Sequence, residues 1–224
     1  MQPYLFPYVG YIQLINAVDE FVIYDDVQYI VRGWINRNNI LLNGEGKLFT
    51  VSLDNSSANK LINEIEIKDD FEKLRKTISL AYAKAPHKDA VLDLVDRIFA
   101  YPDKNLARFI YNSLSVINEY LGIQTKLIYS SELEKDNELK GQYKIMAICK
   151  LLEATNYINP SGGQEIYDRD YFEANNIDLK FIKTDFVEYR QLGNDFIPGL
   201  SILDVMMFNS PEEVKQMLQS YTLI

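Results

Sequence analysis

Residues 21–26 read Phe-Val-Ile-Tyr-Asp-Asp, a short apolar run that ends in two carboxylates. Such a run, without helical spacing, predicts a strand buried on both faces, as in the parallel sheets of α/β proteins. The carboxyl ends of these strands form the edge at which α/β proteins bind ligands. Successive side chains of a strand point to opposite faces, so only one of Asp25 and Asp26 faces a given site. The stretch therefore predicts an α/β fold with a ligand site beside the two carboxylates.

The segments on either side of this strand predict a helix and a hairpin. Apolar residues recur at helical spacing across residues 11–18, which indicates one or two buried helical turns. Further along, residues 40–42 and 47–53 flank the turn sequence at 43–46, and this pattern predicts a β-hairpin. The isoleucines within 62–67 predict one more strand.

The middle of the chain has a helical pattern. Asp69 and Asp70 can cap a first helix over 69–85, and two further helices follow before Gly122, which is placed as a C-cap. The block is either a helical subdomain or the helical layer of one sheet. We predict a helical insertion at about 68–122.

Alternating strands and helices resume after this block. Strands are predicted at 126–129, 156–159 and 179–182, and helices at 140–152, 169–175 and 201–208. Ser210, Pro211 and Glu213 have the pattern of a capping box that opens a last helix. We expect one domain over residues 1–224, an α/β fold with a mostly parallel sheet, a β-hairpin and the helical insertion.

Composition limits the classes of partner. A net charge of −9 argues against binding to nucleic acid or to an anionic membrane surface, since both need a clustered positive surface. Cys149 is the only cysteine, which excludes an intrachain disulfide, and its apolar neighbours indicate a buried structural thiol. The sequence has no signal-peptide pattern and no apolar run of membrane-spanning length. We therefore expect a cytoplasmic protein without membrane insertion.

The first candidate site is the loop Gln2–Tyr11. Two prolines fix an extended path, and Gly10 lets the backbone approach another group closely. A loop this rich in tyrosine, Tyr4, Tyr8 and Tyr11 among them, can hold an anion or a nucleotide ring at the start of a helix. It can equally be a rigid N-terminal cap packed by aromatic rings, and the residues alone leave both interpretations open.

The second candidate site is the turn that follows the acidic strand. It contains Arg32, Trp34, Asn36 and Arg37, and Trp34 is the only tryptophan. Arginine binds phosphate in a bidentate way, and tryptophan stacks on a base or a sugar. The alternative is that the arginines are solvated or paired with acids. In an acidic chain this turn is the best local anion site, and we favour the functional interpretation.

Other residue types contribute less. Gly162 and Gly163 lie in a strand-to-helix loop that can present backbone N–H groups to an anion, although ordinary turns use the same residues. Asp25 and Asp26 could bind Mg²⁺ beside phosphates, but no dedicated metal site is expected. His87 is the only histidine and is expected at the surface, so histidine-based acid–base chemistry is not expected.

Three motifs in order resemble the WbqC-like protein family. They are MQPYLFPYVGYIQLINAVDEFVIYDDVQYIVRGWINRN, YINPSGGQEIYD and FIPGLSILDVMMFNSPEEV, and the similarity covers essentially the whole chain. The family has a short apolar stretch before the MQPY motif, so the resemblance implies a first strand that is either missing or encoded upstream of Met1. The site residues that it implies are Gln2, Tyr4, Tyr8, Gly10, Tyr11, Asp25, Arg32, Trp34, Arg37, Gly162 and Gly163.

The resemblance also implies a function. The family is found in gene clusters for surface polysaccharide and O-antigen, and its proposed role is transfer of an amino-acyl group such as glycine to an amino sugar. The expected partner is a small nucleotide or nucleotide sugar, with Asp25 and Arg37 assigned to catalysis. The alternative is a non-catalytic nucleotide- or sugar-binding accessory protein for a glycan enzyme. The oligomeric state stays open, with a homodimer among the states to test.

A more distant similarity concerns the layout of the first half. An aromatic-proline turn, Tyr8 to Tyr11 at a helix start and an acidic strand end are similar to the nucleotidylyltransferase (HUP-like) arrangement. The two positions that are histidine in that arrangement are tyrosine here. This layout implies ATP with Mg²⁺ as a cofactor that could activate an acyl group as an adenylate.

Overall fold

The structure is a computed structural model that describes residues 1–193 and 195–224. The helices of the described residues are α1 (Val9–Asn16), α2 (Glu72–Ala81), α3 (Lys88–Phe99), α4 (Leu106–Leu121), α5 (Gly141–Leu151), α6 (Arg169–Glu173), α7 (Ile202–Phe208) and α8 (Pro211–Met217). The strands are β1 (Glu20–Ile23), β2 (Arg37–Leu42), β3 (Glu45–Thr50), β4 (Leu53–Asp54), β5 (Glu66–Ile67), β6 (Lys126–Tyr129), β7 (Asn156–Pro160), β8 (Asp178–Thr184) and β9 (Tyr221–Leu223). The mixed α/β class that the sequence predicts is confirmed.

The acidic strand is half of a parallel pair. β1 and β6 run in the same direction, with Phe21 opposite Leu127 and Ile23 opposite Tyr129. Phe21 and Ile23 are buried, whereas Glu20 and Val22 are half-buried. Because both strands end at the same edge, the residues that follow them meet there.

The first residue of the chain pairs with the other edge of β1. The Met1 ammonium donates to the Val22 carbonyl at 2.8 Å, and the Tyr24 amide donates to the Met1 carbonyl at 2.8 Å. This alternation of donor and acceptor is the pattern of a parallel pair. Both edges of β1 are therefore hydrogen-bonded near its carboxyl end.

A second sheet consists of β7, β8 and β9. β7 and β8 are parallel, with Tyr157 opposite Leu179, and β9 runs antiparallel on the other edge of β8. The sequence pattern does not predict β9, because its residues are partly or largely exposed and give no apolar run. Its position comes from α8, which brings the end of the chain back to β8.

The parallel strands are divided between two sheets. β1 pairs with β6 in one, and β7 pairs with β8 in the other. A cavity of about 520 Å³ is lined by residues of both β1 and β7, by Leu14 of α1 and by apolar residues of α5. The hairpin of β2 and β3 is confirmed, with Arg37 opposite Thr50.

The prediction of a strand over residues 62–67 is wrong for most of that range. Residues Ile62–Glu64 form a 3₁₀ turn, and only Glu66–Ile67 form a strand, paired with β4. Ile62 and Ile65 are both fully buried, a spacing of three that fits the turn better than a strand of period two.

The three helices of the middle block are confirmed, with one difference in length. α2 ends at Ala81 rather than at residue 85, and Tyr82 follows it as the C-cap. The hydroxyl of Tyr82 accepts from the Leu41 amide and donates to the Asp204 carboxylate in the core. These bonds prevent α2 from continuing beyond Ala81. Gly122 ends α4 with φ +66°, as predicted.

The helical block shares a core with the N-terminal loop. Phe71 stacks on Phe99 at 4.4 Å and on Phe109 at 4.9 Å, and Phe99 also meets Phe6 edge-on at 6.0 Å. Aromatic pairs at these separations add to the stability from burial alone. That the block is an insertion into one domain stays a prediction. None of the described helices combines the length and apolar character needed to cross a membrane.

Candidate functional site

Most side chains of the loop Gln2–Tyr11 face inward. The ring of Tyr11 is buried and stacks on that of Tyr4 at 5.3 Å, and its hydroxyl donates to the Gln2 carbonyl at 2.8 Å. Burial raises the pKa of Tyr11 well above its usual value. Tyr11 therefore holds the loop on the core, whereas Tyr4 stays half-buried.

Gly10 is required by the close approach of α1 to β8. A Cβ atom at this position would lie 2.2 Å from the Thr184 hydroxyl oxygen and 2.4 Å from the Tyr8 ring. No side chain fits there, so the glycine allows the helix start to touch the end of the strand. Burial raises the pKa of Tyr8, partly offset by a hydrogen bond with Thr184.

The arginine turn, residues 32–37, is held in shape by hydrogen bonds from its last residue. Arg37 donates from Nε to the Gly33 carbonyl at 2.8 Å and from Nη2 to the Arg32 carbonyl. Its guanidinium also lies 5.6 Å from the centre of the Trp34 ring. Trp34 is 46% exposed and Arg32 is exposed, so the turn presents an aromatic face and a cation to solvent.

The turn and the loop are joined through the backbone. The Leu5 amide donates to the Ile35 carbonyl at 3.0 Å. The Asn36 side chain donates to the Val51 carbonyl at 2.7 Å and accepts from the Tyr29 hydroxyl at 2.8 Å. Asn36 is buried, so these hydrogen bonds anchor the turn to the protein interior.

Asp25 ties together the ends of the parallel pair. Its carboxylate accepts from the Ser131 amide at 3.0 Å, from the Ser131 hydroxyl at 2.6 Å and from the Asn63 amide group at 3.3 Å. The side chain is buried, and these donors are neutral. The carboxylate that the sequence favours for the site is thus engaged in joining β1 to the segment after β6.

Asp26 forms ion pairs with two lysines. Lys135 Nζ lies 2.8 Å and Lys144 Nζ lies 3.0 Å from the same oxygen, Oδ2. The exposed fractions of the Asp26, Lys135 and Lys144 side chains are 9%, 0% and 6%. Burial alone would raise the pKa of Asp26, but hydrogen bonds from Lys135, Ser130 and Lys144 outweigh it and hold the pKa below its usual value.

Sequence reasoning missed this cluster. It noted that only one of the two aspartates faces a given site, but it assigned the role to Asp25. Lys144 was hidden because it lies in the apolar helix α5, where a lysine looks like a surface residue. The burial of Lys144 is what marks it as unusual, and a helical sequence pattern does not show whether a single lysine is buried.

Tyrosines surround the cluster. Lys144 Nζ lies 5.3 Å from the centre of the Tyr24 ring, within the range of a cation–π contact. Burial raises the pKa of Tyr24 to about 12, and the nearby Asp26 and Tyr167 add to the shift. Tyr167 in turn bonds to the Tyr157 hydroxyl at 3.2 Å. The end of β1 therefore faces the segment after β7.

The glycine loop lies directly after β7. Gly163 has a packing role, since a Cβ there would lie 2.1 Å from the Asn159 side-chain nitrogen, whereas Gly162 has open space around it. Among the described residues, no hydrogen bond joins this loop to the arginine turn. The sequence-predicted residues thus fall into two groups, one around the arginine turn and one at the strand ends.

The single cysteine and the single histidine do not supply a ready nucleophile or base. Cys149 is buried, as predicted, and burial raises the pKa of its thiol to about 11. His87 precedes α3, where its amide donates to the Met207 carbonyl at 3.1 Å. A thiolate at neutral pH is therefore not part of this chemistry.

The fold and the site define an α/β protein that gathers polar and charged groups at the carboxyl ends of parallel strands. A family model described as the WbqC-like protein family matches residues 2–216, so the chain belongs to that family. The uncharacterized protein Rv1507c of Mycobacterium tuberculosis is 31% identical over 219 residues, which cover 95% of this chain and 93% of that protein. No solved structure matches the chain. The family membership that the motifs predict is confirmed.

Proposed function

We propose that the protein is a group-transfer enzyme of O-antigen or surface-polysaccharide synthesis. In this proposal it transfers an amino-acyl group, such as glycyl, to a nucleotide-linked amino sugar. Family membership supports the general area of function. The observation that carries the proposal is the rigid arginine turn, which exposes Trp34 and Arg32 in a chain of net charge −9.

The turn has the groups that a nucleotide sugar needs. Trp34 offers a stacking face for a base or sugar, and Arg32 offers a cation for phosphate. Arg37 uses Nε and Nη2 on the turn, which leaves Nη1 to meet a phosphate oxygen. The catalytic assignments of Asp25 and Arg37 stay proposals, and their contacts favour a positioning role for both.

The proposed reaction has two balanced steps. A carboxylate oxygen of glycine attacks the α-phosphorus of ATP, and pyrophosphate leaves with the electrons of the broken P–O bond. The amine of the sugar then attacks the acyl carbon, the C–N bond forms, and AMP leaves with the electrons of the C–O bond. The nitrogen loses one proton to a base or to water. An acyl donor that arrives already activated would replace the first step.

The test is turnover with a matched variant. Purified protein is incubated with Mg-ATP, glycine and a UDP-linked amino sugar, and AMP, pyrophosphate and the amide product are measured. Arg32→Ala should weaken sugar-nucleotide binding by about ten- to a hundredfold, since a hydrogen bond to a charged group contributes about 1.5–3 kcal/mol. Arg97→Ala, on the exposed face of α3, is the control and should leave binding unchanged. Absence of amide product from ATP or from a preactivated glycyl donor would contradict the proposal.

A binding protein without catalysis is the second candidate. It is favoured by the raised pKa of Cys149, about 11, and by the position of the single histidine at the start of α3. Such a protein would bind the sugar nucleotide with the same dependence on Arg32 but would release no AMP. The turnover assay above separates the two candidates.

A further inference from the structure

A small cavity lies between α1 and the segment that precedes α7. It is lined by residues of α1, α7 and α8 and by parts of 185–193 and 195–200, and its volume is about 20 Å³. A space of this size holds one water-sized group. Of the described residues that line it, none is basic, whereas Asp185 supplies a carboxylate. The lining therefore favours a small group that donates hydrogen bonds or carries a positive charge.

One buried acceptor at this cavity has no partner. Gln13 lines the cavity and is 1% exposed, and its side-chain nitrogen donates to the Met217 and Ser220 carbonyls, both at 2.9 Å. These two bonds fix which end of the amide is the nitrogen, so the other end is an acceptor. Oε1 forms no hydrogen bond with any described residue. Buried polar atoms are nearly always bonded, so this oxygen is suited to accept from a ligand.

Asp185 lies beside Gln13. Its backbone amide donates to the Ser220 carbonyl at 3.0 Å, and the same oxygen accepts from Gln13. The Asp185 carboxylate accepts from the Thr222 hydroxyl at 3.0 Å, and among the described residues it pairs with no lysine or arginine. The cavity is thus lined by two acceptors, and the ionised one has no cation beside it.

Three aromatic rings line the same cavity. They belong to Phe186, Tyr189 and Phe196, and the rings of Tyr189 and Phe196 meet edge to face with centroids 5.2 Å apart. The Tyr189 hydroxyl donates to Asp204 at 2.7 Å, so its proton is not available to a ligand. The faces of aromatic rings attract cations, and groups of such rings bind organic ammonium ions. A water molecule gains nothing from these faces, so the rings favour a cation.

We propose that this cavity is a subsite for a primary ammonium group. One N–H group donates to Gln13 Oε1 and another to the Asp185 carboxylate, while the positive charge lies against the aromatic rings. The cavity admits a group of the size of –NH₃⁺ but not a trimethylammonium group. That the ammonium is the amine of the amino-acyl donor rests on the proposed function. The ammonium subsite itself does not.

The test is an NMR titration with methylammonium chloride, with potassium chloride at equal ionic strength as the reference. The side-chain amide signals of Gln13 and the backbone amide of Asp185 should shift in a saturable way with methylammonium only. Asp185→Asn should weaken binding by about tenfold or more, because it removes a charge-assisted hydrogen bond. The matched control is Asp178→Asn, an exposed aspartate at the start of β8, which should bind like the wild type.

Phe186→Leu tests the aromatic contribution separately. Phe186 is 48% exposed, so the change should leave the fold intact. Loss of a cation–π contact at an exposed site should weaken methylammonium binding by about two- to fivefold. Tetramethylammonium, which is too large for the cavity, should cause no saturable shift.

Four results would overturn the subsite. If no shift occurs, or if potassium causes the same shift, the cavity holds an ordered water only. Unchanged affinity in a folded Asp185→Asn or Phe186→Leu variant, or saturable binding of tetramethylammonium, also contradicts it. All of these results leave the turnover assay, and hence the proposed function, untouched. Conversely, methylammonium binding in a protein that makes no amide product supports the subsite and contradicts the proposed function.

Discussion

At the scale of single residues, many positions that the sequence marks as functional are explained by packing. Gly10 lies where α1 touches β8, and Tyr11 is buried with its hydroxyl on the Gln2 backbone. Both residues shape the candidate site without facing a ligand. The exposed residues of the arginine turn, Arg32 and Trp34, are the ones that can contact a ligand directly.

Gly10→Ala tests this packing role. The added methyl group would collide with Thr184 and Tyr8, so we expect a loss of about 1–3 kcal/mol in the free energy of unfolding. Gly162→Ala is the matched control, because a Cβ there meets nothing within 4 Å and φ is not positive. Urea denaturation of both variants measures the difference. Equal stability of the two would show that α1 can move away from β8 at little cost.

At the scale of elements, one buried carboxylate holds an irregular segment on a helix. Asp204 of α7 accepts from the Tyr189 hydroxyl at 2.7 Å, from the Gln191 amide group at 2.9 Å and from the Tyr82 hydroxyl at 2.9 Å. The first two donors belong to the segment that precedes α7. Burial raises the pKa of Asp204, although the three hydrogen bonds lower it in part.

The raised pKa of Asp204 predicts a pH dependence of stability. A carboxyl group whose pKa is raised on folding stabilises the fold below its ordinary pKa of 3.8, and this contribution is lost as the pH rises through the folded value. We therefore expect the stability of the wild type, relative to Asp204→Asn, to fall as the pH is raised from about pH 4. Chemical denaturation across this range measures it. A difference between the two proteins that does not change with pH would contradict the prediction.

At the scale of the whole molecule, the parallel strands lie in two sheets with a cavity of about 520 Å³ between β1 and β7. Met1 pairs in parallel with β1 along the side that borders this cavity. Burial lowers the pKa of the Met1 ammonium to about 5, so a charge at that point is unfavourable. We expect this cavity to accept an added strand that pairs with β1 and β7.

Adding a strand before Met1 tests this expectation. A segment of about six residues rich in valine and isoleucine, the composition of strands buried on both faces, should enter the cavity and pair with the edges of β1 and β7. We expect the unfolding midpoint to rise by roughly 5 °C or more and the β7 amides to become protected from hydrogen exchange. A glycine- and serine-rich segment of equal length is the control. If both segments have the same effect, the cavity does not accept a strand.

Local patterns in the sequence were sufficient for most elements. The hairpin of β2 and β3, the helices α3 and α4, the Gly122 cap and the capping box of Ser210 and Glu213 all follow from short-range chemistry. The sequence did not predict β9, which has no apolar run and forms only because it pairs with β8. It also predicted a strand where residues 62–64 form a 3₁₀ turn. For the candidate site, the sequence indicated the arginine turn and the acidic strand end, but it did not indicate Lys135 or Lys144.

Short-range patterns in the chain were enough to predict the α/β class, the order of most elements, the family and the segments from which a site could be built. These depend on periodicity, turn chemistry and motifs, which act over a few residues. The three-dimensional fold was needed to show which aspartate bonds to Ser131 and which pairs with two lysines, because that depends on how β1, β6 and α5 meet. Burial and ion pairing between residues more than 100 positions apart have no local signature, so the charged cluster became visible only in the fold.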